Sequence, residues 1–281
     1  MLGSKTMSYQ TLMVHLQLGH SNVAVLQAAK QIAQRCNAAV TGIVVGQQTQ
    51  MIYGKGYAVI DFFDREQAHL EEKIAAEEAL FRAAFKGHAQ NIAWFSLVTM
   101  EPAVDFILAQ ACSADLIITG VAPTDFYDGP YNLHAGEIVM QSGRPVLAVP
   151  LATGAFKLDN MLIGWKDTRE ARRVIADALP LLKLAKQVTL LEIATEDNKQ
   201  VAAKRLDEVV LWLKSHGVVA EPLVSVSKEA DATQFVAEAK KQQADIVITG
   251  AYGHSRFREW VLGGITNELL QGAHFSSFLS H

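Results

Sequence analysis

Short apolar runs alternate along this chain with longer segments in which apolar residues recur at helical spacing. In the second half, the runs at 160–165, 188–193, 219–226, 245–249 and 277–280 predict strands, and the segments at 169–183, 199–216, 231–242 and 263–272 predict helices. The runs lack strict apolar and polar alternation, which points to strands buried on both faces, and a helix between successive strands makes right-handed crossovers the natural connection. The expected architecture is an open parallel α/β sheet. Local signals agree with it. Thr168 stands before Glu170 and the periodic Ala171, Val174, Ile175, Ala178 and Leu179, as a helix start does, and Gly217 follows His216 as a helix stop. In the first half, a polar, glycine-containing segment from Gln47 to Asp64 is expected to precede a long helix over about 65–86. Its Gly54-Lys55-Gly56 reads as a surface loop or as the cover of a pocket.

The pattern repeats. Ala114-Asp115-Leu116-Ile117-Ile118-Thr119-Gly120 recurs as Ala244-Asp245-Ile246-Val247-Ile248-Thr249-Gly250, each copy after an alanine-rich amphipathic segment. Thr11 to Leu16 and Asn160 to Trp165 open the two halves alike. Two tandem domains follow, 8–150 and 158–281, with a short linker near Leu151 to Leu158 that Pro150 and Gly154 punctuate. Met1 to Thr6, ahead of Met7, are set aside from the fold, Met7 being the expected natural start.

Composition narrows the function classes. A chain of 281 residues, 50% of them hydrophobic, can build two domain cores. Net charge is −4 with both signs interspersed, so no basic footprint for nucleic acid or an anionic membrane is visible. The apolar runs fall short of the roughly 20 residues of a membrane helix, and no signal-peptide pattern opens the chain. The expected location is cytoplasmic. The two cysteines, Cys36 and Cys112, have neither metal-type nor redox spacing and are expected as buried thiols of a reducing compartment.

One spaced motif names a ligand class. Gly250, two residues, Gly253, nine residues, then Gly263-Gly264 follow directly on the run Asp245 to Thr249. Glycines at a strand end let backbone amides close on a phosphate chain, and a helix starting at Gly263 and Gly264 would turn its amides and dipole to the same anion. His254, Ser255 and Arg256 could add donors. The same glycines could also simply shape a loop and a helix cap. Trp165, ending the first strand of the second half, could stack on a base or pack in the core. In the first half, Gly120-Val121-Ala122-Pro123 lacks the second glycine, and proline has no N–H to give.

These residues resemble the universal stress protein family in its tandem form, from about residue 10 onward. The resemblance rests on Thr249 to Thr266, on Trp165-Lys166-Asp167-Thr168-Arg169-Glu170-Ala171 with Ala178-Leu179-Pro180-Leu181-Leu182, and on Gly143-Arg144-Pro145-Val146-Leu147-Ala148-Val149-Pro150. It implies two Rossmann-like domains of the adenine-nucleotide alpha-hydrolase type, a site for ATP, AMP or a related adenine nucleotide with magnesium, and last strands paired across a domain or subunit interface. The expected assembly is an intramolecular pseudo-dimer, and whether it pairs further into a homo-dimer is left open by the sequence. Carried over, the nucleotide site comprises Trp165, Asp167, Thr249, Gly250, Gly253, Gly263, Gly264, Ile265 and Thr266. Two positions depart from the family pattern. Gly264 stands where nucleotide binders often place serine, and Lys166 stands where the first strand's aspartate contacts the nucleoside, with Asp167 one place along. Gln17 occupies the corresponding place in the first half, which reads as a degenerate copy.

Catalytic motifs are missing from the sequence. No Gly-Lys-Ser or Gly-Lys-Thr loop supports a Walker-type hydrolase, no histidine or cysteine pair has zinc spacing, and no Gly-x-Ser-x-Gly elbow occurs. Glu71-Glu72-Lys73 and Glu77-Glu78 read as a solvated helix face. The expectation is a non-enzymatic stress-response protein, with at most slow ATP hydrolysis, that binds adenine nucleotide in its second domain. A ligand-free interaction scaffold is the alternative.

Overall fold

The computed structural model describes residues 8–48, 58–88, 90–122, 135–152, 154–251 and 264–281. The first half carries β1 (Thr11–His15), α1 (Val23–Cys36), β2 (Ala39–Gln47), α2 (Ala58–Ala84), β3 (Ile92–Thr99), α3 (Ala103–Ala111), β4 (Leu116–Val121), α4 (Ala135–Gln141) and β5 (Val146–Pro150). The second repeats the order with β6 (Asn160–Gly164), α5 (Arg169–Leu182), β7 (Gln187–Ala194), α6 (Lys199–Ser215), β8 (Glu221–Val226), α7 (Asp231–Lys241), β9 (Ile246–Gly250), α8 (Gly264–Gly272) and β10 (Ser276–Ser280). All ten strands form one sheet, ordered β3-β2-β1-β4-β5-β10-β9-β6-β7-β8. Within each half every pairing is parallel; β5 and β10 meet antiparallel, Leu147 opposite Phe278, and join the halves.

The expected parallel α/β sheet is present, and its helices segregate by face. On one face, α1, α2, α5 and α6 bury a core that runs unbroken across both halves, from Ile32 and Phe81 through Leu147 and Phe278 to Val174 and Leu206. On the other, α3 and α4 cover a cluster around Ile117 and Val146, while α7 and α8 cover one around Leu162, Phe235 and Val247. Thr168 caps α5 by accepting the Ala171 N–H, and Gly217, at φ +82°, lets the chain leave α6 in a left-handed conformation. The serines that replace apolar residues in β10 are buried but bonded: Ser277 Oγ donates to Phe275 O at 3.3 Å and Ser280 Oγ to Asp177 Oδ2 at 2.6 Å. Tyr9 Oη, donating to Asp177 O at 2.8 Å, adds a tie across the junction.

Three expectations need correction. The long helix of the first half begins at Ala58 rather than near 65, because no glycine or proline follows Gly56 to delay it. Cys112 is exposed, at the end of α3, while Cys36 is half-buried and its thiol pKa is raised by burial. Glu77 is no solvated surface group: its carboxylate accepts from Asn22 Nδ2 at 3.0 Å. Gly54-Lys55-Gly56 lies outside the described residues.

Candidate functional site

β6 and β9 lie side by side with Gly164 opposite Thr249, so their carboxyl ends open at one place in the sheet. Two helix starts converge there. Among the described residues, a Cβ placed on Gly264, first residue of α8, would find only Ala232 of α7 within 4 Å, at 3.9 Å. Asp231 heads α7, and Lys166 Nζ, beyond the end of β6, lies 4.0 Å from its Oδ2. An acid in the first turn already complements the α7 dipole. The first turn of α8 contains none, so no carboxylate of that turn competes for an anion.

Of the residues expected to bind nucleotide, Thr249, Ile265 and Thr266 lie on the face covered by α7 and α8 with Gly264 at its rim, whereas Gly250 turns to the α5 face. Thr249 is 5% exposed, and its Oγ1 is buried with no hydrogen-bond partner. Thr266 is buried in the first turn of α8, Ile265 packs on the second-half cluster, and Gly264 is exposed. Gly250 has a packing role: a Cβ there would stand 2.7 Å from the Glu170 carbonyl carbon and 2.9 Å from the Ala171 amide nitrogen, so α5 begins directly against this strand end.

Trp165 is not brought to them. It belongs to the continuous core with Ile163, Ala171 and Val174, whereas Leu162 and Gly164 turn to the α7 and α8 side. Strand alternation therefore puts the indole on the sheet face opposite Thr249, where its Nε1 is buried without a partner. Asp167 is half-exposed and ion-paired with Arg172; the Arg205 pKa is raised chiefly by its hydrogen bond to Glu192, with a smaller contribution from the Asp167 charge. Its carboxylate is committed to cations on the α5 and α6 side. Gly253 and Gly263, with His254, Ser255 and Arg256, lie outside the described residues.

The equivalent place in the first half is closed by its own polar side chains. His15 stands opposite Thr119 as Gly164 stands opposite Thr249, and its Nδ1 is 2.8 Å from Thr119 Oγ1. Burial lowers the pKa of His15 from 6.5 to about 4, so the ring is neutral at physiological pH. Gln17 Nε2 donates to Gly120 O at 3.0 Å, and Asn22 Nδ2 donates at the same distance to Gln17 O and to Glu77. Burial raises the Glu77 pKa, and the Asn22 hydrogen bond acts against that rise. Over Gly120 lies Leu151, whose Cδ2 would be 2.4 Å from an added Cβ. Sequence reasoning missed His15, Asn22 and Glu77. The repeat contained the signal for the first of them, since the alignment that matches Gln17 with Lys166 also matches His15 with Gly164.

Among the described residues no cluster of His, Cys, Asp and Glu could hold a metal, and no helix is long and apolar enough to cross a membrane. What the second-half arrangement offers is an unpartnered hydroxyl and helix amides, groups that bind and orient an anion.

Comparison with known proteins gives a sequence match to the second half and a fold match to both halves. The sequence model of the Universal stress protein family matches residues 157–278. A universal stress protein from Archaeoglobus fulgidus DSM 4304 has the same fold at 13% identity, with a TM-score of 0.72 over 96% of this chain and 97% of that one. A functionally unknown protein from Pseudomonas aeruginosa PAO1 is similar at 13% identity and a TM-score of 0.63, over 97% of this chain and 92% of that one. No curated protein matches the sequence. The second half thus matches the Universal stress protein family model over residues 157–278, and the two-half fold is shared over 96% of the chain with a universal stress protein of known structure.

Proposed function

We propose that this is a stress-response protein without catalytic activity of its own, in which the second half binds an adenine nucleotide, ATP or AMP, at the carboxyl ends of β6 and β9. The observation that carries this reading is the difference between two equivalent threonines. Thr119 is bonded to His15, whereas Thr249 keeps a buried hydroxyl with no partner beside a glycine. Buried polar atoms are rarely left unsatisfied, and one orphan at a strand end beside a helix start fits a ligand group. The start of α8 suits the phosphates. Lys166 in place of an aspartate shifts the affinity toward them and away from the ribose, so binding between micromolar and millimolar is expected.

Calorimetric titration of ATP and AMP, with and without magnesium, tests the proposal together with extraction of nucleotide from freshly purified protein. Thr249→Val should weaken binding by about tenfold. Gly264→Ser should tighten it about threefold by adding a hydroxyl at the phosphate end, since among the described residues a Cβ meets nothing nearer than 3.9 Å. No heat at millimolar nucleotide and no ligand in the extract would sink the reading.

A ligand-free interaction scaffold is the second reading, favoured by the packing that already accounts for Gly250 and by the pairing of Lys166 with Asp231. Thr249→Val separates the two. In the scaffold it removes an unsatisfied buried hydroxyl, leaving stability unchanged or raised and no binding to lose.

A further inference from the structure

The two edges of the sheet are built differently. β8 starts with Glu221 and Pro222. Ser227 N–H turns inward to Ala194 O, so by two-residue alternation Pro222 sits in the outward row, where it has no N–H to offer. That edge is blunted against strand addition. β3, at the other edge, reads Ile92-Ala93-Trp94-Phe95-Ser96-Leu97-Val98-Thr99, without a charge, a proline or a glycine. Among the described residues it pairs only with β2.

The outward row of β3 can be assigned. Asn91 O accepts from Val40 N–H and Thr99 O from Gln48 N–H, so odd-numbered residues bond toward β2 and Ile92, Trp94, Ser96 and Val98 turn their amides and carbonyls outward. One face of the strand is covered: Trp94 lies over Gly42 and against Phe81, at a ring separation of 5.4 Å. The other face is less covered among the described residues, since α3 packs chiefly on β2, and Phe95 is 43% and Leu97 39% exposed.

The geometry points to β3 as the dimerisation edge of this chain: a second copy adds its own β3 antiparallel across a two-fold axis at Phe95, extending the sheet. In that register Ile92 faces Val98 of the second copy and Trp94 faces its Ser96, so every outward amide and carbonyl of the four finds a partner. Phe95 meets its own copy as the close, non-hydrogen-bonded pair, and Leu97 lies over Ala93. Charge specifies the direction. The exposed Lys86 precedes the strand, and the exposed Glu101 and Asp105 follow it. Antiparallel pairing sets the basic end of one copy beside the acidic end of the other, whereas parallel pairing would oppose like charges. A strand without charge has nothing that repels its own image.

Sedimentation of the full chain over a concentration series tests this, alongside two substitutions made in a Cys112→Ser background to remove the exposed thiol. Ser96→Pro deletes an outward N–H while leaving the β2 ladder intact; with unchanged circular dichroism it should weaken dimerisation by about 100-fold. Phe95→Cys should give a covalent dimer on mild oxidation, because identical residues face each other only on the axis. Leu97→Cys, off the axis, should not. A chain that stays monomeric at high micromolar concentration overturns the inference, and so does a dimer that Ser96→Pro leaves intact and Phe95→Cys does not cross-link.

Discussion

Gly250→Ala is expected to lower the stability of the protein by about 3 kcal/mol, measured by denaturant unfolding, while the equivalent Gly120→Ala costs less than about 1 kcal/mol. The difference lies in what each new methyl would meet. At Gly250 the obstacles are the Glu170 carbonyl carbon at 2.7 Å and the Ala171 amide nitrogen at 2.9 Å, backbone atoms in the first turn of α5 that move only if the helix moves. That helix packs on β9 and β10 and carries Val174, Ala178 and Leu179 into the continuous core, so displacing it loosens contacts on both sides of the junction. At Gly120 the obstacle is the end of the Leu151 side chain, with Cδ2 at 2.4 Å, which can turn away. Equal losses at the two positions, or a change within about 0.5 kcal/mol at Gly250, would show that α5 does not rest on the strand end as described. Gly250 is consequently a poor probe of ligand binding, since its substitution disturbs the site by unfolding it. Thr249→Val and Gly264→Ser act where there is room.

The helices of the second half could be placed from the sequence to within a residue or two, Arg169–Leu182 against 169–183 and Asp231–Lys241 against 231–242. Apolar periodicity and end signals such as Thr168 and Gly217 are local, and here tertiary packing works with them. The antiparallel meeting of β5 and β10 was expected only through the resemblance, because no local signal shows which strands of a duplicated fold meet. The candidate site was less legible, for a physical reason. Strand alternation decides the face on which a side chain lies, and a run buried on both faces shows no alternation in its composition. Trp165 and Thr249 both sit at strand ends, yet the sheet lies between them. Glu77 was hidden for a related reason: a run of charges on a helix reads as solvated until the chain brings Asn22 beneath it.

The duplicated halves have handled the same opening in opposite ways. In the first, His15 fills the place beside the strand-end threonine, Gln17 bonds the Gly120 carbonyl and Asn22 links Gln17 to Glu77. In the second, Gly164 leaves the threonine unbonded, and the side chain after Trp165 is a lysine directed to Asp231. A polar network closed on itself rigidifies the structure that holds it, while a buried hydroxyl without a partner carries a cost that a group brought from outside would relieve. The proposed function rests on this asymmetry, with scaffolding in the first half and the ligand in the second.

The closed half should be sensitive to acid through one residue. His15 is 4% exposed and its pKa is lowered by burial from 6.5 to about 4, so between these values the unfolded chain binds a proton that the folded protein excludes. Stability then falls as pH falls through this window and is fully present above it; the gap corresponds to about 3 kcal/mol lost by pH 4. Glu77 acts in the opposite sense, since its raised pKa makes the folded state the better proton acceptor, and it cannot produce this loss. Urea unfolding at intervals from pH 7.5 to pH 4 should show the slope in the native protein and a much flatter profile in His15→Gln. The glutamine amide can still bond Thr119 but carries no titratable group. If the two profiles run parallel, His15 keeps its proton in the folded state, and the neutral, closed contact with Thr119 that distinguishes the first half from the second is wrong.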